Sequence, residues 1–386
     1  MFGTVEVEQG VYYNVDEDEY RSWNAANYSF LKDIGVSEYY AYMRTLKKKE
    51  TKSMDLGKYL DCGILTPELL KGKYIMTPEE YPAKAKYPSM EASEYKKWSG
   101  NSTWCKAWKV EQEDNRKVIY SQSDKEALLT MRTSIRRHKR AGDLLTGESQ
   151  VAYVWVDPST GIKCKCLVDK LCSLTNSLVD FKTAKDASEN GFRSAMTNYK
   201  YHFQAAFYIS GHYVVELPEN PFSFDWVVGE NHYPYDVATF SCREQSLRTG
   251  LKLMYEGLNR YAIMKAKRDK YFRQKEIILK DNPKAEVIPE KYFYKYQNSK
   301  AEAARLQWLE ANKNSVIAPE ASIYSGFIRQ DELAVEDNVD INIDVFPYAI
   351  CPDEELKEDL WTTGIPGGEK NREKWEAVLV ARGIRN

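Results

Sequence analysis

No stretch of this chain approaches the roughly 18 consecutive apolar residues that a membrane-spanning helix needs, which argues against a membrane protein. The opening segment MFGTVEVEQGVYYNVDEDEY lacks a basic patch followed by an apolar stretch, so no secretory signal is read there. Nor is there a basic excess: 55 Lys and Arg stand against 57 Asp and Glu, a net charge of −2. Any nucleic-acid binding must therefore come from local patches. Histidine is scarce, and the four present (His138, His202, His212, His232) show no ligand spacing. Seven cysteines, an odd number, are no disulfide framework, and with no signal they read as reduced thiols in a cytosolic compartment. A glycine-rich phosphate loop is missing, which excludes ATP-driven helicase activity. No Ser–His or Cys–His pairing stands out either.

What is present is an ordinary globular composition, 43% hydrophobic and 29% charged, over 386 residues. That length suggests two domains, or one large domain with insertions. Tyrosine is plentiful, at 28 residues. Tyr serves equally in a core, against a base or on a phosphate, so its abundance permits nucleic-acid binding without requiring it.

The first 60 residues read as helical. Phe30, Leu31, Ile34, Tyr40 and Met43 fall near helical spacing over Asn27–Arg44, with a break at Gly35 and a restart at Ser37. Prolines 67, 78, 82 and 88 make residues 66–104 look like irregular connections between short helices. Ser121–Leu145 is helical again. Strand character begins after Gly147: Ser149–Val156, Ile162–Leu174 and Ser177–Thr183, separated by turns. A helix opens near Asp186 or Ser188, and Tyr213–Leu217 and Phe222–Val228 read as further strands. This order predicts an α/β or α+β fold. Beyond Leu251 the chain is helical and charged. Residues 260–280 hold eight basic residues against two acids, and residues 331–359 hold eleven acids, which suggests an appended region.

The chemistry concentrates in residues 148–208. Asp180 and Lys182 lie two apart in a strand and share a face. A turn centred on Leu174-Thr175 sets Asp169 opposite Asp180, and one centred on Thr175-Asn176 sets it opposite Lys182. Either register gathers two carboxylates and an amine. A turn centred on Thr175 would send Asp169 to the other face. Clustered carboxylates repel unless a cation neutralises them, and all-oxygen donors suit Mg²⁺ or Mn²⁺. A lysine beside such a metal can orient water and offset charge on a phosphorane-like transition state. A solvated hairpin with ordinary surface charges would carry the same spacing.

The Asp…Asp-x-Lys hairpin followed by a helix resembles the PD-(D/E)XK nuclease superfamily. More closely, the chain resembles the RecE-type (exonuclease VIII) exonucleases of phages and prophages. The matches run in order: NYSFLKDI at 27–34, GKYLDCGILTPE at 57–68, GESQVAYVW, TGIKCKCLVDK and LVDFKTAKDAS, then NYKYHFQAAFYISG at 198–211. Together they cover about residues 12–260. The resemblance implies a central mixed sheet flanked by helices. It makes Asp169 and Asp180 metal ligands and Lys182 the water-positioning amine. Glu148 becomes an acidic residue lining the site, and Gln204 and Tyr208, four apart on one helix face, line the groove. Tyr208 also fits plain helix packing. The implied metal set is Asp61, Asp169, Asp180 and Phe181.

Two departures stand out. Where the family has His four residues after its glycine, this chain has Asp61 after Gly57. Where it tends to have Arg-Pro before the first catalytic Asp, this chain has Leu167-Val168. Arg132, Arg136, Arg137, Lys139 and Arg140 form a basic stretch that suits phosphate tracking or an exposed helix face. The basic segment 260–275 suits a solvated helix or a DNA-contacting arm. The acidic run reads as a surface or inter-subunit element. Cys164 and Cys166 alternate on a strand, the pattern of buried apolar residues rather than a metal–thiolate site.

The resulting expectation is a Mg²⁺-dependent exonuclease, with Mn²⁺ able to substitute, acting on double-stranded DNA ends from the 5′ side. The resemblance further implies a homo-oligomeric ring, a single-strand annealing partner and a bacterial cytoplasmic setting. Residues 1–120 form the helical N-terminal part, 121–260 the nuclease core and 261–386 a charged extension. Another nuclease of the superfamily, an endonuclease or single-strand exonuclease, would share these residues. So would a binding module that kept the fold without turnover.

Overall fold

The computed structural model describes residues 3–46, 52–83, 94–220, 222–285 and most of 287–312. Strand β1 (Gly10–Tyr12) leads into α1 (Glu17–Ser22), α2 (Tyr28–Ile34) and α3 (Glu38–Leu46). Two side chains set the break between α2 and α3. Asn27 accepts the Phe30 N–H at 2.9 Å, and Ser37 accepts the Tyr40 N–H at 3.0 Å, each satisfying an orphan donor at a helix start. Helix α4 (Lys52–Leu65) follows, then a 3₁₀ turn and α5 (Leu70–Lys73).

The described residues of the segment expected to be irregular instead hold short strands, part of a small unit that runs on to Tyr120. It holds β2 (Tyr74–Met76), β3 (Glu80–Pro82), β4 (Tyr95–Lys97), α6 (Thr103–Asp114) and β5 (Val118–Tyr120). Strands β2 and β5 pair in parallel, and β3 and β4 antiparallel. Trp104 and Trp108 are buried here, with Trp98 and Tyr81 packed on them. Bulky aromatics bury enough area to hold together strands of only three residues each. Helix α7 (Gln122–Arg137) opens with a Ser121–Asp124 capping box and breaks at His138 into α8 (Lys139–Leu144).

The remaining strands are β6 (Glu148–Val156), β7 (Lys163–Cys172), β8 (Ser177–Ala184), β9 (Ser223–Glu230) and β10 (Val237–Ser241). They form one sheet in the order β1-β6-β7-β8-β9-β10. Every pairing is antiparallel except β8 with β9. That parallel pair requires a crossover, supplied by α9 (Glu189–Tyr199) and α10 (Tyr201–Glu216). Tyr213–Leu217, expected as a strand, is the end of α10 and its cap. Val214 is only 2% exposed there, and burial against the sheet outweighs its β-branched preference.

Strand periodicity divides the core. Val151, Tyr153, Trp155, Cys164, Cys166, Val168, Leu178 and Trp226 face α2, α10 and the long α11 (Glu244–Asp281). Val179, Phe181 and Val227 face α4, α7 and α8. The two strand cysteines are fully buried apolar residues of the first layer. Helix α11 runs unbroken through position 261, where the expected extension begins. Tyr294 and Leu309, the latter on α12 (Ser299–Asn312), join the same core. The acidic run 331–359 lies outside the described residues. No helix among the described residues is long and apolar enough to cross a membrane.

Candidate active site

The β7–β8 hairpin turns about Leu174-Thr175, because Cys172 pairs with Ser177, Leu171 with Leu178 and Lys170 with Val179. Continuing that register sets Asp169 across from Asp180. The ladder ends first, and the two strands part at this point. In place of a backbone partner, the Phe181 N–H donates to Asp169 Oδ2 at 2.8 Å. The C=O of a strand residue faces the same side as its N–H, so Phe181 turns its carbonyl toward this gap too. Asp180 and Lys182 alternate with Phe181 and share the α10 face.

Asp180 is 4% exposed, and its Oδ2 is buried with an ion-pair contact but no hydrogen bond. Its Oδ2 lies 2.7 Å from Lys182 Nζ, and its Oδ1 accepts Gln204 Nε2 at 2.6 Å. The Lys182 ammonium also sits 5.2 Å from the centre of the Tyr201 ring. Burial alone would push the lysine pKa down, but Asp180 and Asp169 more than offset it and hold Lys182 above the ordinary lysine value. Asp169 moves the other way from most paired carboxylates. Burial and then the Asp180 charge raise it above the carboxylate range, against Lys182 and the Phe181 N–H.

Asp61 enters from the opposite layer. Helix α4 lies close on β8, where a Cβ added to Gly57 would stand 3.4 Å from Thr183 Oγ1. Asp61 is one turn further on, on the same helix face. Its Oδ1 is buried without a hydrogen-bond partner. Burial, and then the charges of Asp169 and Asp180, push its pKa well above the usual carboxylate range, with Lys182 opposing. Asp169, Asp180 and Lys182, named by hairpin spacing, and Asp61, named by the resemblance alone, thus act on one another's charge.

Two further expected residues lie on α10. Gln204 reaches Asp180 and leaves its own Oε1 buried and unpartnered. Tyr208, one turn on, packs edge-on against Phe224 at 5.8 Å. Burial, then the neighbouring Tyr20 and Cys166 and lastly Asp180 and Asp169, raise its phenol well above its ordinary value. Glu148 is exposed at the start of β6, paired with Leu171, where its charge acts on Lys170.

The basic stretch is divided. Arg132 spends its guanidinium on the Gly63 carbonyl of α4, at 3.0 Å from Nε. Arg140 binds Asp225 Oδ1 and Ser241 Oγ, each at 2.9 Å. Arg136, Arg137 and Lys139 are exposed around the α7–α8 elbow. Two residues around the cluster were not singled out from sequence. Tyr201 sits under Lys182, and the Glu17 charge acts on both Asp61 and Asp169. The only signal for Glu17 was its place in an acidic run.

Among the described residues, no three His, Cys, Asp or Glu side chains converge as they stand into a metal-holding group. The donors nevertheless fit a hard cation in kind: carboxylate oxygens whose charges oppose one another, one of them buried and orphaned on Asp61.

A mainly antiparallel sheet between helices, with Asp…Asp-x-Lys where its hairpin parts, is a PDDEXK-like nuclease fold. Residues 28–273 match the family described as "PDDEXK-like domain of unknown function (DUF3799)", and the chain belongs to that family. A solved structure described as "Putative exonuclease" from Eubacterium rectale is also similar. It is 13% identical, with a TM-score of 0.41, over 62% of this chain and 82% of that one. No curated protein matches the sequence.

Proposed function

We propose that this protein is a divalent-metal-dependent deoxyribonuclease. The observation that carries the reading is the parted β7–β8 hairpin, where Asp169, Asp180 and Lys182 meet beside the orphaned Asp61 oxygen. Asp61, Asp169 and Asp180, with the Phe181 carbonyl, would hold the metal. When bound, Mg²⁺ or Mn²⁺ would supply a Lewis acid for the phosphoryl group and a more acidic water.

The chain's own residues account for the rest. Lys182 is held as an ammonium, which suits it to orient a water and to balance negative charge developing on the phosphoryl oxygens. Gln204 fixes the Asp180 carboxylate, and Tyr201 backs the Lys182 head group. Tyr208 gives α10 its packing on β9. Exposed Arg136, Arg137 and Lys139 are suited to track a phosphate backbone, whereas Arg132 and Arg140 are occupied within the fold.

The finer reading is a RecE-type exonuclease, supported by the ordered motif resemblance. On it the substrate is a double-stranded DNA end cut 5′-to-3′, in a ring-forming protein that works with a single-strand annealing partner. The test is an end-labelled linear duplex against covalently closed circular DNA, with and without Mg²⁺. An exonuclease degrades only the linear duplex, and only with metal. Degradation of both points to an endonuclease of the same superfamily. Degradation of neither overturns the nuclease reading.

A further inference from the structure

One turn of α10 away from Gln204, a cleft opens between α2, the start of α10 and α11. Lys32, Lys200 and Arg260 line it, with Glu256 as the acid among its lining residues. Lys32 is half-buried, its Nζ 5.1 Å from the centre of the Tyr28 ring. Lys200 Nζ lies within 3.7 Å of where a Cβ on Gly35 would stand. Arg260 Nη1 donates to the Gly35 carbonyl at 3.3 Å, which draws its guanidinium over the same spot. Neither Lys32 nor Lys200 takes part in an ion pair among the described residues.

Three cations brought together against one acid repel unless an anion joins them. Burial, and with it the neighbouring Arg44, Lys182 and Lys200 charges, lowers the Lys32 pKa, whereas Asp33 raises it. The nearby carboxylate of Asp33 is itself taken by Arg44 at 2.8 Å. The cleft also borders the α9–α10 junction, where Lys200 is the single residue between the two helices. Lys200 is held at φ 56° and supplies no side-chain cap to α10. Its ammonium lies at the cleft, close to Gly35.

We propose that the cleft bounded by Lys32, Lys200 and Arg260 binds a phosphate group of the nucleic-acid strand that enters the site. This rests on the nuclease reading. Position supports it: Lys200 and Gln204 are one helical turn apart, about 5.4 Å of rise. The Lys182 charge also acts on Lys32, so the cleft adjoins the carboxylate cluster. The phosphate is either a terminal monoester or a backbone diester, and the two share the same recognition.

The test measures binding of short fluorescent duplexes, 5′-phosphorylated or 5′-hydroxyl, in Ca²⁺. The proteins are the full chain, its Lys32→Gln/Lys200→Gln variant and a Lys32→Arg/Lys200→Arg variant. The Gln pair should lose about tenfold in affinity, and its log–log salt slope should fall by about 1, the signature of one lost phosphate contact. The Arg pair should bind as wild type, which separates charge from a folding defect. A loss confined to the phosphorylated duplex identifies a terminal phosphate, and an equal loss on both identifies the backbone. Wild-type affinity and slope in the Gln pair overturn the site, even if the wild-type chain cuts DNA in Mg²⁺. A chain that does not cut, but whose Gln pair still loses affinity, overturns the nuclease reading and leaves this site standing.

Discussion

Gln204 donates to Asp180 Oδ1 at 2.6 Å, while Lys182 takes the other oxygen at 2.7 Å. One buried carboxylate thus joins the sheet to the crossover helix and Lys182 to both. The amide has a neutral donor where a cation would compete with a metal. Its own Oε1 is left buried without a partner. Gln204→Glu keeps the shape but puts a second carboxyl against Asp180 Oδ1 in place of the donor, a loss of about 1–3 kcal/mol in stability at neutral pH. Chemical denaturation should show that loss. A Gln204→Glu protein as stable as wild type would mean that the contact is incidental.

Asp180→Ala should abolish cleavage while leaving DNA binding intact or tighter, because it removes a negative group facing phosphate. The measure is the cleavage rate of linear duplex in Mg²⁺, alongside binding in Ca²⁺. A tenfold drop in rate corresponds to only about 1.4 kcal/mol of barrier, too little for the loss of a metal ligand. A variant within tenfold of wild type therefore removes Asp180 from the mechanism.

The legible part of this site was local. Alternation along a strand placed Asp180 and Lys182 on one face, and their hairpin allowed only two useful registers. Structure settles the choice through the Cys172–Ser177 pair. Gln204 was readable as a polar residue in an apolar helix. Lys200 and Tyr201 were not, because nothing in their spacing relates the α9–α10 junction to Lys182 or to Gly35. Residues 74–120 defeated periodicity for another reason. Strands of three residues are too short to show alternation, and the tryptophans that hold them meet only in three dimensions. Tyr213–Leu217 misled because valines that suit a strand also suit a buried helix end.

Acid titration of the metal-free protein should report the strained carboxyls. Asp61 and Asp169 have native pKa values raised above the unfolded value of about 3.9. Between the unfolded and native values the native state binds more protons. Stability therefore falls as pH rises through that window. Asp61→Asn removes one such group. In excess chelator its melting temperature should gain on wild type as pH climbs from about 3.9 into the raised range. A difference that is flat with pH, or that shrinks, contradicts the burial of Asp61 as a carboxyl of raised pKa.

On the proposed reading, Asp61 also sets the metal preference. It stands where the resembling exonucleases carry histidine, four residues after Gly57 and ahead of Thr66-Pro67-Glu68. Its buried Oδ1 has no protein donor, so the cheapest partner is a cation or a proton. A third carboxylate strengthens the pull on a hard dication and weakens the site when none is bound. Asp61→Ala should raise the Mg²⁺ concentration needed for half-maximal cleavage, since one oxygen ligand is gone. Asp61→His should recover part of the activity and shift preference toward Mn²⁺, which accepts imidazole more readily than Mg²⁺ does. Both are read from cleavage rate against metal concentration, with Mg²⁺ and Mn²⁺ titrated separately. If Asp61 merely packs α4 against β8, the Ala variant lowers the rate at every metal concentration alike. The half-maximal concentration then stays where it is for both metals, and Asp61 leaves the ligand set.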